Sequence, residues 1–204
     1  PLFIEAKNMK VSDSSGNAIV NTKKVKGYIS LSGIFNRQIT LQRLVIEEPS
    51  VVSNNRQLDE IIRHVRAYLE QERDLPFKVK IKVVEVVQGS VDLKDEELKA
   101  RAGIKGLSGE YIIGDNPRLK ASVKELTIDK QDWPNIKCDI NTSVVFKKDR
   151  IEIKQLEIGA YGSRFTGEGY YAGGKGTFKA GIDLIVDSMK RLFHLVQKGD
   201  GRIS

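Results

Sequence analysis

Residues 151–158 read Ile-Glu-Ile-Lys-Gln-Leu-Glu-Ile, and no other stretch restricts the possible folds as tightly. Ile151 and Ile153 alternate with charge, the alternation skips one beat through Lys154 and Gln155, and it resumes at Leu156 and Ile158. A period of two is the signature of a strand whose successive side chains point to opposite faces of a sheet. The skipped beat leaves two geometries open. A bulge keeps all four apolar residues on one face, whereas an unbroken strand moves Leu156 and Ile158 to the other. The same spelling recurs at Ile4-Ala6-Met9-Val11 and Ala121-Val123-Leu126-Ile128, with looser copies at Ile39-Leu41-Leu44-Ile46 and Val79-Ile81-Val84-Val86. About one strict copy is expected by chance at this composition, so the three found here point to a repeated strand design.

Elsewhere the chain keeps to the same theme. Strands are expected from Leu2 to Val52, interrupted by the turn residues Asp13 to Asn17, by Gly27 and Gly33, and by Pro49, which removes a ladder donor. A second series is expected from Phe77 to Val186, with breaks at Gln88-Gly89, between Leu107 and Glu110, at Gly114 to Pro117, at Lys130 to Asn135, at Lys147 to Arg150 and at Gly173-Gly174. Between them, Asn54-Asn55 can cap a helix over 56–73. In it Leu58, Ile61, Ile62, Val65 and Leu69 form one stripe, and Asp74-Leu75-Pro76 ends it. A closing helix is expected over 188–198, where Met189, Leu192, Phe193 and Val196 share a face. Short turns imply antiparallel pairing. The expected fold is therefore mainly β with two helices: one long curled antiparallel sheet, helices packed on it or capping it, in a single unit over 1–204.

The 204 residues suffice for a substantial core. Pro1 in place of an initiator Met suggests a piece of a longer protein, and no apolar run reaches the ~20 residues that span a bilayer. A net charge of +7 comes from lysines and arginines spread through the strands in alternation with apolar residues. That spacing marks solvated faces and guarded edges, and it argues against nucleic acid as a partner. The single cysteine, Cys138, sits in an alternating stretch as a small apolar residue.

No catalytic constellation is spelled out. Gly167-x-Gly169-x-x-Ala172 precedes a Gly-Gly hairpin where a dinucleotide fingerprint needs a helix, and His64 and His194 have no cysteine or carboxylate at ligand spacing. Asp95-Glu96-Glu97 reads as a solvated turn, and Asn141-Thr142-Ser143 is a glycosylation sequon in spelling only. The expectation is no enzyme, no metal and no cofactor, with a binding, conduit or scaffold role instead.

One family shares this order of elements. The run Ile39-x-Leu41-x-x-Leu44-x-Ile46-x-x-Pro49-x-Val51, followed by Asn55-x-x-Leu58-x-x-Ile61-Ile62, resembles the repeat unit of AsmA-like proteins. The stretch from Ile151 to Phe193 is similar to a second piece of the same family, through Ala160-Tyr161-Gly162-Ser163-Arg164-Phe165-x-Gly167-x-Gly169 and the hairpin after it. The resemblance implies a taco-shaped β-groove in the periplasm, tethered to the inner membrane by an N-terminal helix not included here. Its partners would be phospholipid acyl chains carried towards the outer membrane. On that reading the groove is lined by Ile39, Leu41, Leu44, Ile46, Val79, Ile81, Val84, Val86, Val123, Leu126, Ile128, Ile151, Ile153, Leu156 and Ile158. Two alternatives stand beside it. The sheet can fold back on itself as a sandwich with a dry core, or its edges can dock partner strands as an assembly scaffold for outer-membrane proteins.

Overall fold

The alternating stretches all become strand. The computed structural model describes residues 2–12, 16, 18–30, 37–54, 63, 78–95, 99–130 and 136–184. Twelve strands follow one another: β1 (Leu2–Ser12), β2 (Ala18–Ser30), β3 (Gln38–Glu47), β4 (Ser50–Asn54), β5 (Lys78–Ile81) and β6 (Val83–Asp95). The second half supplies β7 (Ala100–Ile112), β8 (Arg118–Lys130), β9 (Ile136–Phe146), β10 (Ile151–Ala160), β11 (Ser163–Ala172) and β12 (Lys175–Asp183). All belong to one sheet.

β3 and β4 are collinear, both lying beside β2 and interrupted only at Glu48-Pro49. β5 and β6 are collinear in the same way, interrupted at Lys82. The twelve strands therefore make ten ribbons, which lie side by side in chain order. β1 and β12 form the two edges, and substantial contacts run only between sheet neighbours. No second layer of described strands covers either face, so the dry sandwich is not what the described residues build.

Two expectations need correction. The sheet is mixed, not wholly antiparallel: β3 pairs with β5 and β6 in parallel, and so does β4 with β6. Short-turn reasoning fails there because β4 and β5 are joined by the long stretch 55–77, which can return a strand in the same direction. The expected pair of helices is also overturned. The described residues form one large sheet with no helical element, Arg63 alone having a helical conformation. The spans 56–73 and 188–198 otherwise lie outside the described residues, as do His64 and His194. An amphipathic stripe records only a capacity for helix, since helical stability depends on what the stripe packs against.

Three expected breaks lie inside single strands: Gly27 in β2, Gln88-Gly89 in β6, and the Leu107 to Glu110 stretch in β7. At the true turns, Gly173 and Gly174 take φ of 55° and 80°, which suits a hairpin between β11 and β12.

Every copy of the skipped beat falls on a backbone irregularity. Asn8 takes φ 53° inside β1. The β2–β3 register shifts between Tyr28 and Ile29, where partners Arg43 and Leu41 leave Gln42 as the extra residue. Lys82 separates β5 from β6. The β8–β9 register shifts between Val123 and Leu126, and the β10 registers shift between Ile153 and Leu156. In each case the residues at the irregularity are polar.

Candidate functional site

Directly paired residues in neighbouring strands share a face, so the registers trace each face of the sheet. One row runs Ile4, Gly27, Leu44, Val84, Tyr111, Leu119, Val144, Ile153, Gly169, Phe178. The next runs Ala6, Val25, Ile46, Val86, Gly109, Ala121, Thr142, Leu156, Gly167, Ala180. A third runs Val11, Val20, Val51, Val91, Ile104, Leu126, Cys138, Ala160, Ser163. Through these rows one face is apolar across the sheet, interrupted at Thr142 and Ser163, and Ser53, opposite Leu93, is a further hydroxyl on it.

The bulges are what keep it so. Val123 and Leu126 stand three apart in β8, yet their β9 partners Ile140 and Cys138 stand two apart and point the same way. Ile153 and Leu156 likewise face Val144 and Thr142, and Leu41 and Leu44 face Ile29 and Gly27. Ile81 and Val84 follow, being paired with Leu41 and Leu44.

All fifteen residues expected on this surface are brought together. Ile39 pairs with Val79, Ile46 with Val86, Ile128 with Ile136, Ile151 with Phe146, and Ile158 with Ile140. The sequence pattern missed the neighbours on β2, β7, β9 and β11, among them Val25, Tyr111, Ile140 and Phe165. Those strands carry glycine or hydroxyl residues in the same rows, and so lack the four-residue spelling.

Among the described residues little covers the apolar face. Ile19 is the one apolar side chain among the described residues that is buried, and none is fully enclosed. Ile4, Val79, Ile151, Phe178 and Ile182 are exposed. The Phe165 and Phe178 rings stack 6.2 Å apart, with Phe178 lying against Gly167 and Gly169, where added Cβ atoms would strike its ring.

The opposite face is a lattice of ion pairs. Glu5 faces Lys26, Lys24 lies 2.7 Å from Glu47, and Arg43 reaches Glu85 at 2.7 Å and Glu110 at 3.5 Å. Further along, Arg101 meets Asp92, while Lys137 and Lys105 both meet Glu125, at 2.6 and 3.3 Å. Hydrogen bonding by Lys137, then Lys105, holds the Glu125 carboxyl below its ordinary value. The densest cluster surrounds Glu152, a buried carboxylate. Lys147 Nζ and Arg150 Nε donate to Oε1 at 2.7 and 2.6 Å. Lys154 Nζ stands 2.8 Å from Oε2, an ionic contact outside good hydrogen-bond geometry. These cations, Lys147 foremost, pull the Glu152 pKa down to about 2.

Cys138 is half-buried in the apolar rows, and burial, with Asp139 beside it, raises its thiol pKa. Among the described residues no three His, Cys, Asp or Glu side chains converge to hold a metal, and no described helix is long and apolar enough to cross a membrane. Gly167 and Gly169 lie in mid-strand, so no helix start faces them. In comparisons with known proteins, the chain matches no family model and no curated protein.

Proposed function

We propose that this chain is a segment of a periplasmic protein, tethered to the inner membrane, that shields phospholipid acyl chains on a β-trough and serves lipid transport between membranes. The AsmA-like resemblance suggests the setting. The observation that carries the reading is the apolar face, continuous over ten ribbons and without a covering layer of described strands. With ribbons ~4.8 Å apart, that face is ~43 Å across. One acyl chain occupies about half of a ~30 Å hydrocarbon core, so the face is two to three acyl lengths long. Each methylene removed from water contributes ~0.8 kcal/mol, so tails bind without polar contacts and can slide along rows of similar side chains.

The test is mass spectrometry of the purified protein. Phospholipid is expected to co-purify, and Leu126→Asp or Leu156→Asp is expected to reduce it more than about tenfold, because an acid on this face is costly to bury, while circular dichroism stays unchanged. Lipid-free protein that also refuses a fluorescent phospholipid would sink the reading.

A second reading rests on β12. Its nine residues are exposed throughout and pair with β11 in unbroken register, and no described strand pairs with its outer edge, which suits strand addition. Under this reading the partner is an outer-membrane protein under assembly. Capture of such a protein, lost when proline is placed in β12 while lipid content is unaffected, would favour it over the conduit.

A further inference from the structure

The strand ends fall on two rims. One carries the start of β1, the starts of β3 and β5, and the hairpins at 113–117, 147–150 and 173–174. The other carries the turn at 161–162 and the remaining hairpin connections. Over most of the sheet the charged face carries ion pairs with scattered valines, Val45, Val52, Val87 and Val145, but at the first rim larger apolar and aromatic side chains join them. Phe3, Ile112 and Tyr170 occupy positions that alternate with the apolar rows, in strands that place Glu5, Glu110 and Glu168 at the neighbouring positions of the same face. All three are exposed, as are Ile113, Ile151 and Tyr171 beside them. Large apolar side chains thus protrude from both faces along one margin. At the opposite rim the matching positions are Lys94, Arg101, Asp129, Lys137 and Arg164, with the smaller Val52 exposed beside them.

Charge is distributed unevenly as well. Arg37, Lys78, Lys80, Arg118, Lys148 and Lys175 lie along the first rim, exposed and without an ion pair to any described residue. Of the acids nearby, Glu5, Glu110 and Glu152 are already met by cations, leaving Asp115, Asp149 and Glu168 against these six basic residues. The exposed aromatic side chains, Phe3, Tyr170, Tyr171 and Phe178, all lie towards this side. Tyrosine and aliphatic side chains interleaved with unpaired cations suit the headgroup boundary of a bilayer, where rings and stems enter the lipid and ammonium groups meet phosphate. A nucleic acid would use the cations but not Ile112, Ile113 and Ile151.

We infer that this rim is a docking edge for an anionic lipid surface, on which the sheet stands with its strands steeply inclined to the membrane. The inference is independent of what the apolar face holds.

The probe is sedimentation with phosphatidylcholine vesicles with and without phosphatidylglycerol. The chain is expected to pellet with the anionic vesicles and to be released at about 0.5 M salt, where the Debye length is a few ångströms. Each basic residue at such a surface is worth roughly fivefold in binding, so Arg118→Gln, Lys148→Gln and Lys175→Gln together should weaken it on the order of 100-fold. Lys10→Gln, Lys94→Gln and Lys99→Gln, the same charge change at the other rim, should alter it less than about threefold. Ile113→Trp should show a blue-shifted emission on vesicles. Leu126→Asp should leave docking intact, which separates this edge from the trough. Absence of anionic vesicle binding, equal binding to neutral vesicles, equal loss from both charge variants, or an unshifted emission from the Ile113→Trp variant would each overturn the proposal.

Discussion

Glu152 shows how much this chain depends on single side chains where there is little core to rely on. Its carboxylate is buried among Lys147, Arg150 and Lys154, and its pKa is lowered from 4.5 to about 2. A depressed folded-state value means that the contribution is present in full above the unfolded value and is lost as pH falls through the folded one. The wild-type melting temperature should therefore fall between about pH 4.5 and about pH 2. Glu152→Gln should be less stable at neutral pH, where three cations then face one another, and should show a flatter pH profile across that window. Added salt should partly restore the variant by screening. Thermal melts over that pH range check all three. The sequence displayed these four charges within eight positions, but a run of Lys, Arg and Glu reads equally as a solvated hairpin. That the carboxylate is enclosed depends on its place opposite Val145 and Tyr170.

At the scale of the strand, what the sequence showed best was the skipped beat, and what it concealed was the difference between a bulge and a turn. Five copies of one pattern mark five irregularities, and in β3, β8 and β10 the extra polar residue between two apolar pairs is accommodated as a bulge on the solvated side. Gln88-Gly89 looked like a turn for the same chemical reason that it makes a good bulge, since both need a residue tolerant of positive φ. Gln88 adopts φ 57° and Glu48, its counterpart in the adjoining ribbon, 50°. A left-handed residue with a Cβ costs about 1–2 kcal/mol. Gln88→Gly should hold stability within about 1 kcal/mol, while Gln88→Val should lower it by about 2 kcal/mol, because a β-branched side chain tolerates this conformation least. Urea midpoints of the two variants decide it. The parallel step between β4 and β5 was legible only to a reader who treated 55–77 as a crossover and not as one more turn.

For the sheet as a whole, substantial contacts of the described strands run only between neighbours, so that stability accumulates ribbon by ribbon, as in repeat proteins. Opening should begin at the margins. Native-state hydrogen exchange is expected to be fastest in β1 and β12, every residue of which is exposed, and slowest in the central β6 to β8. Uniform protection across the sheet would show one cooperative unit instead. The two rims were invisible in the sequence because Phe3, Ile112 and Tyr170 are far apart along the chain and meet only through the topology. The parallel pair at the heart of the sheet holds a further consequence. From Gln38 beside Lys78 to Asn54 beside Lys94, every partner stands 40 positions downstream, and the left-handed Glu48 and Gln88 obey the same spacing. Lengthening or trimming either ribbon by one residue between its kinks throws everything beyond out of step with its twin, so insertions and deletions here are tolerable only in matched pairs.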